Sequence, residues 1–105
     1  MLDGIAESLA LTRDLGLDPA LFLESIAGGA MDAPYVQLKG KTMLTGEFPP
    51  AFKLAGALKD VDLILAAAED AGTDLGLMPS IREHFARAVE AGHGDLDMSA
   101  TYLEH

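Results

Sequence analysis

The sequence has no cysteine among its 105 residues, which excludes disulfide scaffolds, cysteine-based zinc sites and cysteine nucleophiles. No apolar run approaches the roughly 20 residues of a membrane span, and no basic start followed by an apolar stretch suggests a signal peptide. A soluble, cytoplasmic protein is expected. Bases are scarce: seven Lys and Arg against seventeen Asp and Glu give a formal net charge of -10. That field repels phosphate backbones and anionic membranes, so neither nucleic acid nor a membrane is an expected partner. There is no phosphate loop, no convincing strand, no internal repeat and no low-complexity tract.

What is present is apolar. Half of the residues are hydrophobic against 23% charged, which describes one small globular domain able to bury roughly two-thirds of its unfolded surface without staples. Four of the seven bases, Lys39, Lys41, Lys53 and Lys59, fall in the middle of the chain, where an anion could be met. The final Leu103-Glu104-His105 looks like the start of a cloning scar and purification tag. The domain is therefore read as residues 1–102, with 103–105 a tag remnant and His105 no ligand candidate.

Glycines punctuate segments whose apolar residues repeat at three and four, the helical period. The first, about Leu2 to Leu15, places Leu2, Ile5, Leu9 and Thr12 on one side and closes at Gly16. It opens without a cap signal, as though a longer helix ran on upstream. Asp18-Pro19 caps a second helix to about Ala27, stopped by Gly28-Gly29, and Ala33-Pro34 starts a third that Gly40 weakens. Glu47-Phe48-Pro49-Pro50 is an extended link, since the residue before each proline is pushed out of the helical region. It leads into the longest segment, about Phe52 to Ala71. Pro79-Ser80 opens a helix ended by Gly92, and Asp97 or Ser99 caps a last short one. The expected fold is an all-α array of about six helices.

The Phe52 to Ala71 segment has two faces. At 100° per residue, Leu54, Leu58, Val61, Leu65 and Ala68 form a core face, while Phe52, Gly56, Lys59, Leu63 and Ala67 lie opposite, with Asp60 at the border. A helix apolar nearly all round is normally buried, and a lysine on such a face must find an anion, a dipole or a ligand. The pattern alone leaves open an ordinary Lys59 with its ammonium in water. Other candidates are weaker. His84 reads as a surface or boundary histidine and His93 as a turn residue, and no second ligand stands at metal spacing. Asp95 and Asp97 resemble a fragment of a calcium loop that lacks its remaining ligands. Met31, Met43, Met78 and Met98 read as core fillers, and Gly92-His93-Gly94 follows a helix instead of a strand, so it is no dinucleotide fingerprint.

The stretch Met43-Leu44-x-Gly-x-Phe48-x-Pro50-x-Phe52, then Lys59-Asp60-Val61 and an Ala-rich helix, then Ala91-Gly92-His93-Gly94-Asp95-x-Asp97-x-Ser99-Ala100, resembles the C-terminal helical domain of the β-hydroxyacid dehydrogenases. These include 3-hydroxyisobutyrate dehydrogenase and the semialdehyde reductases, with 6-phosphogluconate dehydrogenase as a larger relative. Ala6-Glu7-Ser8-Leu9-Ala10-Leu11 and Gly16-Leu17-Asp18 look like the interdomain helix of that family and the turn after it. The resemblance implies NAD or NADP as cofactor of the full-length parent, with Lys59 near its nicotinamide and Phe52 and Asp60 shaping the pocket for a small 3-hydroxy acid or aldehyde. It also implies an upstream Rossmann domain carrying the Gly-rich nucleotide fold and the general acid/base lysine, from which Lys59 is distinct. No catalytic residue, no metal and no bound cofactor are then expected in this chain alone, and a homo-oligomer, such as a dimer, is expected of the parent. The alternative is a non-catalytic helical interaction module of the same fold.

Overall fold

A computed structural model describes residues 1–105. Five α-helices follow in order: α1 (Leu2–Asp14), α2 (Ala20–Ile26), α3 (Pro34–Thr45), α4 (Leu54–Ala71) and α5 (Met78–Ala88). A single π turn, Val89–His93, leads from α5 toward a terminal 3-10 helix, Met98–Glu104. This is the all-α array expected from the periodicity. Its one trace of strand geometry is an isolated bridge between Lys53 and Asp97.

The helix boundaries follow from local chemistry. Asp18 supplies the predicted cap, its Oδ1 accepting from the Ala20 N–H at 3.0 Å. Gly72 ends α4 in the left-handed region, φ 70°, where a side chain would be strained. Gly92, at φ 95°, breaks the helical path after α5 and lets the chain turn back toward the start of α4. Gly40 keeps its place inside α3 for a packing reason: a Cβ there would stand 2.6 Å from Leu23 Cδ2, so the residue that weakens the helix allows α2 to approach it.

Sixteen buried apolar residues form one core. α1 contributes Leu2, Ile5, Ala6, Leu9 and Ala10; α4 contributes Leu54, Ala57 and Val61. α1 packs on α3 and the 3-10 helix, while α4 packs on α5. No α4 residue beyond Val61 is fully buried, although Leu65 still packs against the core, and the molecule measures 42 by 31 by 25 Å. No helix is long and apolar enough to cross a membrane.

Candidate functional site

Pro49 and Pro50 have no N–H to donate, and the extended link they impose leaves the next amides without helical partners. Asp97 supplies an acceptor. Its Oδ1 accepts from the N–H groups of Ala51 and Phe52 at 3.1 and 3.2 Å. Its Oδ2 accepts from Lys39 Nζ at 2.9 Å, the Ser99 N–H at 3.1 Å and Ser99 Oγ at 2.5 Å. The backbone adds further ties: Asp97 N–H donates to the Phe48 carbonyl at 3.1 Å and Met98 N–H to the Phe52 carbonyl at 2.8 Å. α4 has no side-chain cap, and its leading amides are met instead by carbonyls, Leu54 N–H to Leu96 at 2.9 Å and Ala55 N–H to Gly94 at 3.0 Å. The two motifs around Phe48–Phe52 and Gly92–Ser99 are thus one structural unit.

Asp97 is 1% exposed and Lys39 8%. Burial works against ionisation of Asp97, but the Ser99 hydroxyl, the Lys39 ammonium and the backbone amides of Ser99 and Phe52 outweigh it, holding the carboxyl well below the usual carboxylate range. Burial and the Asp97 charge push the Tyr35 hydroxyl up. Two of the four middle-of-chain lysines meet an anion within the chain. Lys39 is committed to the interior by Asp97 and Lys53 Nζ pairs with Asp95 at 3.4 Å.

Phe52, Lys59 and Asp60 are all exposed. The Phe52 ring lies over Gly56, where a Cβ would meet its Cε1 at 3.4 Å and Cζ at 3.5 Å, and it remains 46% exposed. The helix expected from about Phe52 begins only at Leu54, after an extended Lys53, so Phe52 stands on the link before α4. Gly56, Lys59 and Leu63 follow at helical spacing along one face of α4; the small glycine separates the aromatic from the lysine. Within this chain Lys59 finds no anion: the Lys and Arg ion pairs are Arg13–Asp14, Lys39–Asp97, Lys53–Asp95 and Arg82–Asp62. The second face is not covered within this chain: Leu63 is 59% exposed, and the neighbouring Ile64 45%. Cavities of about 310, 160 and 360 Å³ lie around the start of α1, and none is lined by Phe52, Lys59 or Asp60. The face is open surface. It offers an aromatic, a cation and a carboxylate for binding, but no paired acid and base and no activated nucleophile.

A second polar cluster went unnoticed in the sequence. Asp3 is buried on α1 and pairs with His84 Nδ1 at 2.5 Å and His105 Nε2 at 3.0 Å. The His105 side chain, set aside in the sequence as part of a tag remnant, is only 6% exposed. Burial opposes ionisation of Asp3, and the hydrogen bonds from His105 and His84 override it and lower its acidity range. The three ligand-type atoms lie within 4.8 Å of one another, yet each imidazole is already bonded to the carboxylate. Eighty-one residues separate Asp3 from His84, so no spacing pattern marks the pair.

The profile of the family described as NAD-binding of NADP-dependent 3-hydroxyisobutyrate dehydrogenase matches residues 2–103. Glyoxylate/succinic semialdehyde reductase 2 of Arabidopsis thaliana is 34% identical over 100 residues, covering 95% of this chain and 28% of the relative. The cytokine-like nuclear factor N-PAC of Aedes aegypti is 37% identical over 103 residues, covering 98% of this chain and 18% of the relative. The crystal structure of a 3-hydroxyisobutyrate dehydrogenase from Salmonella typhimurium superposes with a TM-score of 0.90 at 21% identity, over 99% of this chain and 36% of that one; at that identity it speaks for the fold. The chain spans about a third or less of the curated relatives it matches.

Proposed function

We propose a function from one premise: the chain belongs to the NAD-binding family of NADP-dependent 3-hydroxyisobutyrate dehydrogenases. On that premise it is the substrate-cleft and oligomerisation domain of an NAD(P)-dependent 3-hydroxyacid dehydrogenase or semialdehyde reductase, working in the cytoplasm with an N-terminal Rossmann domain. The reading is carried by the open face of α4, where Phe52 and an unpaired Lys59 stand on either side of Gly56 with nothing of this chain over them. An exposed lysine beside an aromatic fits one wall of a nucleotide and carboxylate cleft, the second wall coming from the other domain. The dinucleotide, when bound there, supplies the hydride chemistry. Lys59 holds negative charge near the nicotinamide, Phe52 and Asp60 shape the substrate end, and the proton is handled by a lysine outside this chain. The apolar Leu63 and Ile64 fit a subunit contact in a homo-oligomer such as a dimer.

The test is reduction of glyoxylate or succinic semialdehyde, and oxidation of 3-hydroxyisobutyrate, by the full-length parent with NADH, NADPH or their oxidised forms. Turnover by the parent and none by the isolated chain is expected. Turnover by the isolated chain, or none by the parent, overturns the reading. One observation favours a second reading, a non-catalytic interaction module: a relative at 37% identity is described as a nuclear factor. Under that reading, Phe52→Ala and Lys59→Ala leave partner binding unchanged and the parent turns over nothing.

A further inference from the structure

We propose that Asp97 is a positioning residue for the substrate wall, fixing through the backbone where the Phe52 ring stands. The inference rests on the reading above, in which Phe52 faces a small hydroxy acid or aldehyde. Phe52 is no part of the buried core: it is 46% exposed, with its ring beside Gly56. Its backbone, by contrast, is held on both sides, the N–H by Asp97 Oδ1 at 3.2 Å and the carbonyl by the Met98 N–H at 2.8 Å. The two oxygens of Asp97 divide the work. Oδ1 bonds the link, at Ala51 and Phe52, while Oδ2 bonds the supports, Lys39 on α3 and Ser99 at the head of the 3-10 helix.

Stability alone does not explain that arrangement. A buried ion pair commonly adds little over apolar residues of the same volume, because desolvation offsets the attraction. What the charged pair provides is an acceptor of fixed position under two amides that Pro49 and Pro50 have left outside any helix. The sequence marks Asp97 as a helix cap and a motif residue, with nothing that points to the Phe52 link. Its second role needs Lys39, 58 residues away.

Removing Lys39 or Asp97 singly leaves a buried charge without its partner, so the test uses paired variants in the full-length parent. In Lys39→Met with Asp97→Ala, the acceptor is gone; in Lys39→Met with Asp97→Asn, an amide oxygen remains for the Ala51 and Phe52 N–H groups. The first pair is expected to raise KM for the aldehyde about tenfold while kcat stays within about threefold, and the Asn pair to recover most of that KM. In the chain studied alone, amide exchange of Ala51 and Phe52 by NMR is expected to quicken at least about tenfold in the Ala pair and to slow again in the Asn pair. Equal KM in both folded pairs, or losses that follow the melting temperature with no difference between Ala and Asn, overturns the proposal. So does unchanged exchange at Ala51 and Phe52. A wild-type parent without turnover overturns the dehydrogenase reading, and the exchange measurement then decides separately whether Asp97 holds the link.

Discussion

The two faces of α4 are built by different means. One carries Leu54, Ala57 and Val61, at 0%, 4% and 5% exposure, and packing fixes it. The other carries Lys59 and Leu63, with Phe52 on the link just before them, all exposed, and the Phe52 N–H is held by a buried carboxylate. Packing is insensitive to pH and intolerant of lost volume. A charged clasp is the reverse. A face that spends exposed apolar surface without covering it is not explained by the stability of this domain, which is why the functional reading rests there.

The largest effect expected is on the packed face. Leu54→Ala should cost about 2 to 5 kcal/mol, seen as a lowered denaturation midpoint, because it leaves a cavity at a fully buried site. If the loss were no greater than for an exposed position, the face would not be core. On the open face, Lys59→Ala in the full-length parent should lower kcat/KM roughly tenfold to hundredfold, about 1.4 to 2.7 kcal/mol. Its melting temperature should hardly move. Wild-type kinetics in that variant would return Lys59 to an ordinary solvated lysine.

Acid should separate the two faces next. Asp97 and Asp3 are both held below the ordinary carboxylate range in the folded state. Each therefore contributes stability that is present above the unfolded pKa of about 3.9 and is lost as pH falls through the depressed folded value. Denaturation midpoints measured from pH 6 downward should fall most steeply below about pH 4, and less steeply when Lys39→Met and Asp97→Asn remove one of these contributions. A midpoint independent of pH over that range would contradict the assignment of both carboxylates. The smallest effect belongs to Leu63→Ser, which should change stability by no more than about 0.5 kcal/mol while weakening self-association in sedimentation. Unaltered self-association would remove Leu63 from the proposed subunit contact.

Residue by residue, the sequence and the fold agree where the determinants are local. Asp18 capping α2, Asp97 capping the 3-10 helix and the core stripe of α4 were all legible, because cap, turn and period are written within a few neighbouring residues. The open state of the second face was not legible. An apolar stripe reads alike whether it meets the same domain, another domain or solvent, and only the absence of a packed neighbour in three dimensions distinguishes them. Gly40 shows the same limit: as a propensity it weakens α3, and only its approach to Leu23 shows why it is there.

What the sequence by itself determined is the helical array, the punctuation between its elements and the positions of Lys59 and Asp60 on one helix, all consequences of short-range sterics and a 3.6-residue period. What the tertiary structure alone decided is the pairing of Lys39 with Asp97 and of Asp3 with His84. A charge separated from its partner by 58 or 81 residues leaves no local trace, and whether it is solvated or buried depends on which helices meet. That meeting is set by the apolar core, and it makes Asp97, legible in the sequence as a helix cap, the acceptor for the Phe52 N–H as well.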